Sequence, residues 1–156
     1  MITIGIPNAL LFHKYKNLWI NFFKELGCEV IISNKSNKKI LEEGCKYAQD
    51  EACLSLKLYL GHVNSLIGKV DYILVPRLVS IKKREKLCTN FALLYDLIHN
   101  TFQTKIIHYN VDIDKGINEK DSFIQMGLEL GKSRHESQKA YLKAKQIEKD
   151  ILNKKI

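Results

Sequence analysis

Apolar residues along this chain change period from two to about 3.6 and back, and those changes outline its elements. Ile2-Thr3-Ile4-Gly5-Ile6 is a short apolar run stopped by Pro7 and Asn8, which predicts a buried strand. Leu11, Tyr15, Leu18, Trp19, Phe22, Phe23 and Leu26 then recur at helical spacing up to Gly27, predicting a helix over 10–26 with a glycine cap. Cys28-Glu29-Val30-Ile31-Ile32 predicts a second strand, with Cys28 structural. A strand, a helix and a strand with very short links predict a right-handed βαβ crossover and a parallel sheet.

The pattern continues through Ser33-Asn34-Lys35-Ser36-Asn37, a polar loop rich in helix-capping residues. A helix is predicted over 38–49, with Ile40, Leu41 and Tyr47 inward, Gly44 marking a close approach and Cys45 in the core. The next helix runs from near Cys53 to Leu66 and carries the stripe Leu56, Tyr59, Leu60, Val63, Leu66 and Ile67. Cys53, Lys57 and Asn64 lie at the edge of that stripe, as residues on a cleft rim would. Gly61 costs about 1 kcal/mol inside a helix, so it predicts close packing against a neighbour. His62 beside it reads as a hydrogen-bonded, semi-buried histidine or, alternatively, as a ligand or proton donor.

Val70–Val75 predicts a third strand closed by Pro76 and Arg77, and 77–90 a charged loop of the length that functional loops have. Cys88 directly precedes a helix over 91–101, a fourth strand spans 104–110, and helices follow over 119–131 and 133–153. The fold class expected is α/β: a Rossmann-like, three-layer domain with a four-stranded parallel sheet and a C-terminal helical extension. Residues 1–110 form the lobe and 111–156 pack on it as part of one domain. Such sheets place ligands at the carboxyl ends of their strands.

Composition narrows the function. The chain has 156 residues, 46% hydrophobic and 27% charged, in the range of ordinary globular domains. No apolar run approaches the roughly 20 residues of a bilayer span, and the first residues lack a basic, apolar leader, so a cytoplasmic protein is expected. Cys28, Cys45, Cys53 and Cys88 include no Cys-x-x-Cys pair, which gives no sign of structural zinc. The net charge is +8, and residues 132–156 hold eight lysines and arginines against three acids. One tyrosine, Tyr141, is too little aromatic interleaving for a base-stacking platform, so the basic segment reads as a solvated helix face rather than a nucleic-acid site. The glycines form neither GxGxxG nor GxxxxGK[ST], which removes the nucleotide fingerprints.

Cys53 carries the most specific chemistry. At a helix start the positive end of the helix favours the thiolate, the form that binds metal or attacks, and Lys57 adds charge on the same face. The alternative is a small buried hydrophobe. Cys88 has the same local setting.

Several stretches together resemble one family. They are Ile4-Gly5-Ile6-Pro7-x-Ala9-Leu10-Leu11, Trp19-x-x-Phe22-Phe23-x-x-Leu26-Gly27, Lys38–Gly44, Asp50-Glu51-Ala52-Cys53 with Lys57 and Gly61-His62, and Asp71-Tyr72-Ile73-x-Val75-Pro76-Arg77. The family is the acyl-CoA dehydratase activase-related proteins, similar to the D-component of 2-hydroxyacyl-CoA dehydratases. The resemblance implies an iron–sulfur protein of anaerobic metabolism, holding a [4Fe–4S] or double-cubane cluster between Rossmann-like lobes and taking electrons from an ATP-dependent activase. It implies Cys53 and Cys88 as metal ligands, with Lys57, Arg77 and His62 as cofactor-binding residues. The family's prolines near these cysteines are replaced by Ser55 and Thr89, and larger relatives have two or three lobes. A cubane cluster takes three or four thiolates; Cys45 is a candidate third, and the remainder calls for a homodimer, a second cluster-bearing subunit or a non-cysteine ligand. The function expected is a cluster-binding electron-transfer subunit or single lobe of a dehydratase-like reductase; the alternatives are a non-enzymatic interaction module that has lost the cluster, or a CoA-ester binder. Whether the chain is itself an enzyme stays open.

Overall fold

The structure, a computed structural model, describes residues 1–80 and 89–154. Four parallel strands form one sheet in the order β2-β1-β3-β4: β1 (Thr3–Ile6), β2 (Glu29–Ile32), β3 (Tyr72–Ser80) and β4 (Ile106–Asp112). The expected four-stranded parallel α/β architecture is what the chain forms. The helices are α1 (Phe12–Glu25), α2 (Lys38–Cys45), α3 (Leu54–Leu66), α4 (Thr89–Thr101), α5 (Glu119–Glu129) and α6 (Arg134–Lys154).

Two apolar clusters sandwich the sheet. On one face Leu18, Trp19 and Phe22 of α1, Phe123 and Met126 of α5, and Ala140, Tyr141 and Ala144 of α6 pack on Ile4, Leu74, Ile107 and Tyr109. On the other, Tyr59, Leu60 and Val63 of α3 and Leu94 and Ile98 of α4 pack on Ile73 and Val75. Sheet residues alternate between the two clusters, as the period of two requires. α1 ends where Gly27 adopts φ 82° and the Cys28 N–H bonds Phe23 C=O, a Schellman cap that turns the chain directly into β2. α5 runs past the outer side of β4, where the Ser122 hydroxyl donates to Asn110 C=O, and Ile117 bridges Asp112.

β3 departs from the expected boundary. It continues through Pro76 to Ser80, and Arg77 lies within it rather than on the loop. The Ile73 N–H donates to Lys105 C=O, so odd-numbered amides of β3 face β4 and position 76 faces the β1 side. Pairing with β1 ends at Gly5↔Ile73, so proline removes a donor where no strand is waiting for it.

α2 is shorter than expected and lies on α3 rather than on the sheet. A Cβ on Gly44 would fall 2.8 Å from Lys57 C and 2.9 Å from Gly61 N, and one on Gly61 would fall 2.8 Å from Ile40 C. The two helices therefore touch backbone to backbone, the close approach that both glycines predict. Cys45, expected in the core, is exposed at the last residue of α2, because that helix buries only Ile40 and Gly44. Tyr47 is also exposed rather than inward, its hydroxyl donating to Asn64. Among the described residues no helix is long and apolar enough to cross a membrane.

Candidate functional site

The chain goes from β1 by α1 to β2 on one side, and from β2 by α2 and α3 to β3 on the other, so the strand order reverses between β1 and β3. This switch point is where open parallel sheets bind ligands. The loop above it holds Leu10 at φ 55°, a left-handed conformation costing about 1–2 kcal/mol for a residue with a Cβ. Ala9 and Leu10 offset that cost by packing against the α3/α4 cluster.

Both helices of that face begin at the carboxyl edge, since each runs back toward the start of the next strand. Between them lies a cleft of about 340 Å³ lined by Leu56 of α3 and by Leu93, Leu94, Asp96, Leu97 and Asn100 along α4. Cys53 caps α3 in an extended conformation (φ −65°, ψ 156°), is exposed, and accepts the Leu56 and Lys57 N–H groups at its carbonyl. The Lys57 ammonium donates to Asp50 C=O at 3.0 Å, which keeps its charge beside the 50–53 turn. Cys88 and most of the charged loop, 81–88, lie outside the described residues; Cys88 precedes Thr89, the first residue of α4, in sequence. Cys28 is buried in the other cluster, where desolvation pushes its thiol up.

Arg77 follows Ile73 and Val75 on the α3/α4 side of β3 and donates from Nη1 to Asn110 Oδ1 at 2.9 Å. Its neighbour His108, on β4, stacks on Tyr95 of α4 with ring centroids 4.1 Å apart, and its Nε2 is buried with no hydrogen-bond partner among the described residues. Burial first, then the Arg77 charge, lowers the His108 pKa.

His62, expected among the cofactor-binding residues, is 0% exposed. Its Nδ1 lies 2.7 Å from Ser33 Oγ and its Nε2 2.8 Å from Ser36 Oγ, and Ser33 Oγ accepts the Asn8 N–H at 2.8 Å. Desolvation lowers its pKa, which keeps the imidazole neutral at pH 7. Ser33, Ser36, Asn110 and His108 are the polar groups that sequence reasoning missed. The only signal for the serines was their position just past a strand end; nothing in the sequence pairs them with position 62.

The structure thus sets Cys53 and Lys57 together at the start of α3 and Arg77 on the α3/α4 face of the sheet, while enclosing His62 on the α2 side. Among the described residues no group of three or more His, Cys, Asp or Glu is arranged to hold a metal ion. No curated protein and no solved structure matches the chain significantly. A family description, "CoA enzyme activase uncharacterised domain (DUF2229)", matches residues 3–155. Almost the whole chain is covered, and the protein therefore belongs to this CoA enzyme activase domain family.

Proposed function

We propose that this chain is a single lobe of an activase-associated electron-transfer system, in which Cys53 and Cys88 contribute thiolates to a [4Fe–4S] cluster. One observation carries the reading: α3 and α4 both begin at the carboxyl edge of the sheet, with an exposed cysteine at one start and Cys88 preceding the other in sequence. A soft thiolate at a helix start is a suitable iron–sulfur ligand, and the helix ends and Lys57 favour its deprotonated form. Arg77 on the same face adds positive potential toward an anionic group. The described residues supply one such thiol, so the fit is partial and the remaining ligands come from a second copy or another subunit. Such a cluster would supply one-electron transfer; Cys53 and Cys88 would hold it, and Lys57 and Arg77 would favour its anionic state. An ATP-dependent activase is the partner class this implies.

The test is anaerobic reconstitution with iron and sulfide. The wild type is expected to turn brown with broad visible absorbance, and Cys53→Ser and Cys88→Ser each to lose most of it. A colourless wild type would refute the reading. The reading of an interaction module without a cluster is favoured by Leu54 and Leu93, 60% and 53% exposed on the two helices that form the cleft. A stable complex captured by the colourless protein, lost in Leu54→Asp, would support it.

A further inference from the structure

The His62 cluster is a second polar centre at the carboxyl edge, and its hydrogens can be counted. Ser33 is buried, and its Oγ already accepts the Asn8 N–H at 2.8 Å. If His62 Nδ1 carried the proton it would also donate to Ser33, leaving the Ser33 hydroxyl hydrogen without an acceptor among the described residues. If Ser33 donates to Nδ1 instead, every hydrogen has a place: Nε2–H donates to Ser36 Oγ, and the hydroxyl hydrogen of exposed Ser36 turns to water. A buried hydroxyl left unsatisfied disfavours the first arrangement by about tenfold or more.

We propose that His62 is a positioning residue, fixed as the Nε2–H tautomer, which ties the loops after β1 and β2 to α3 and presents Ser36 at the carboxyl edge as a hydroxyl donor rather than a nucleophile. The geometry could be mistaken for a serine–histidine dyad, since an exposed serine oxygen lies 2.8 Å from a buried imidazole nitrogen. The hydrogen count reverses the roles. To act as a base the imidazole must offer its Nε2 lone pair to the serine proton, and here that nitrogen holds a proton because Ser33 donates to the other. One imidazole thereby joins three segments far apart in sequence: the Asn8 turn, the 33–36 loop and the middle of α3. The proposal stands independently of the cluster reading, because it concerns residues on the α2 side of α3 and needs no bound group.

Two measurements on the full chain test it. Long-range ¹H–¹⁵N spectra of His62 at neutral pH are expected to show a protonated Nε2 and an unprotonated, hydrogen-bonded Nδ1. In Ser33→Ala the Asn8 amide, deprived of its acceptor, is expected to exchange with solvent at least about tenfold faster, and Ser33→Thr, which keeps the hydroxyl, to restore it. A fluorophosphonate probe is expected to label the wild type no more than Ser36→Ala. A protonated Nδ1, or labelling at Ser36 that disappears in His62→Gln, would overturn the assignment. If Ser33→Ala fails to fold, the wild-type tautomer and the probe still decide it.

Discussion

The contact between α2 and α3 gives the sharpest stability prediction. Gly44→Ala places a methyl 2.8 Å from Lys57 C and 2.9 Å from Gly61 N, and closer still to the Lys57 carbonyl oxygen. Carbon atoms pack at about 3.5–4.0 Å, so the helices must part by on the order of 1 Å. The obstructing atoms are backbone and cannot rotate aside, which puts the cost at the upper end of the about 1–3 kcal/mol seen for overpacking. Alanine recovers about 1 kcal/mol of helix propensity, leaving a net loss of about 2 kcal/mol. Gly61→Ala meets Ile40 C at 2.8 Å and should cost about the same. One separation clears both clashes, so the double variant should lie near either single rather than at their sum. Urea unfolding followed by the fluorescence of Trp19, the single tryptophan and 2% exposed, reads all three. Singles at or above wild-type stability, or a strictly additive double, would refute the backbone contact.

Three further outcomes are expected. Burial lowers the pKa values of both His62 and His108 below the ordinary imidazole value of about 6.5. The unfolded chain then binds protons before the folded one, so stability is full above about pH 6.5 and falls as pH drops below it; urea midpoints at pH 7.5 and 5.5 should differ in that direction, and the slope should lessen in His62→Gln. Phe123→Ala removes a ring 4.8 Å from Phe22 and 5.1 Å from both Tyr109 and Tyr141, and should cost about 3–5 kcal/mol in the same unfolding assay. Tyr141→Phe deletes the 2.7 Å bond to Glu119 Oε2 but leaves Lys145 on that carboxylate, so a loss of about 1 kcal/mol is expected by thermal melting followed by circular dichroism.

The helices were legible because their buried residues recur at 3.6 positions, and the strands because they are short apolar runs between polar or glycine-containing segments. Pro76 misled for a physical reason. A proline ends a strand only where its amide is needed, and the shortness of β1, which decides that need, is a property of a strand some seventy residues earlier. Cys45 misled because α2 packs on another helix instead of the sheet, so its buried face narrows to Ile40 and Gly44. For the site, Cys53 and Lys57 were legible because a helix start and a four-residue spacing are local. Ser33 and Ser36 were not, because their role is set by a histidine 29 and 26 residues away.

Where β1 stops also decides how the switch point stays open. Beyond Gly5↔Ile73 the edge of β3 that faces β1 has no partner strand, and Pro76 on that edge offers no N–H to recruit one. A ligand entering there would meet a cleft that strand pairing does not close.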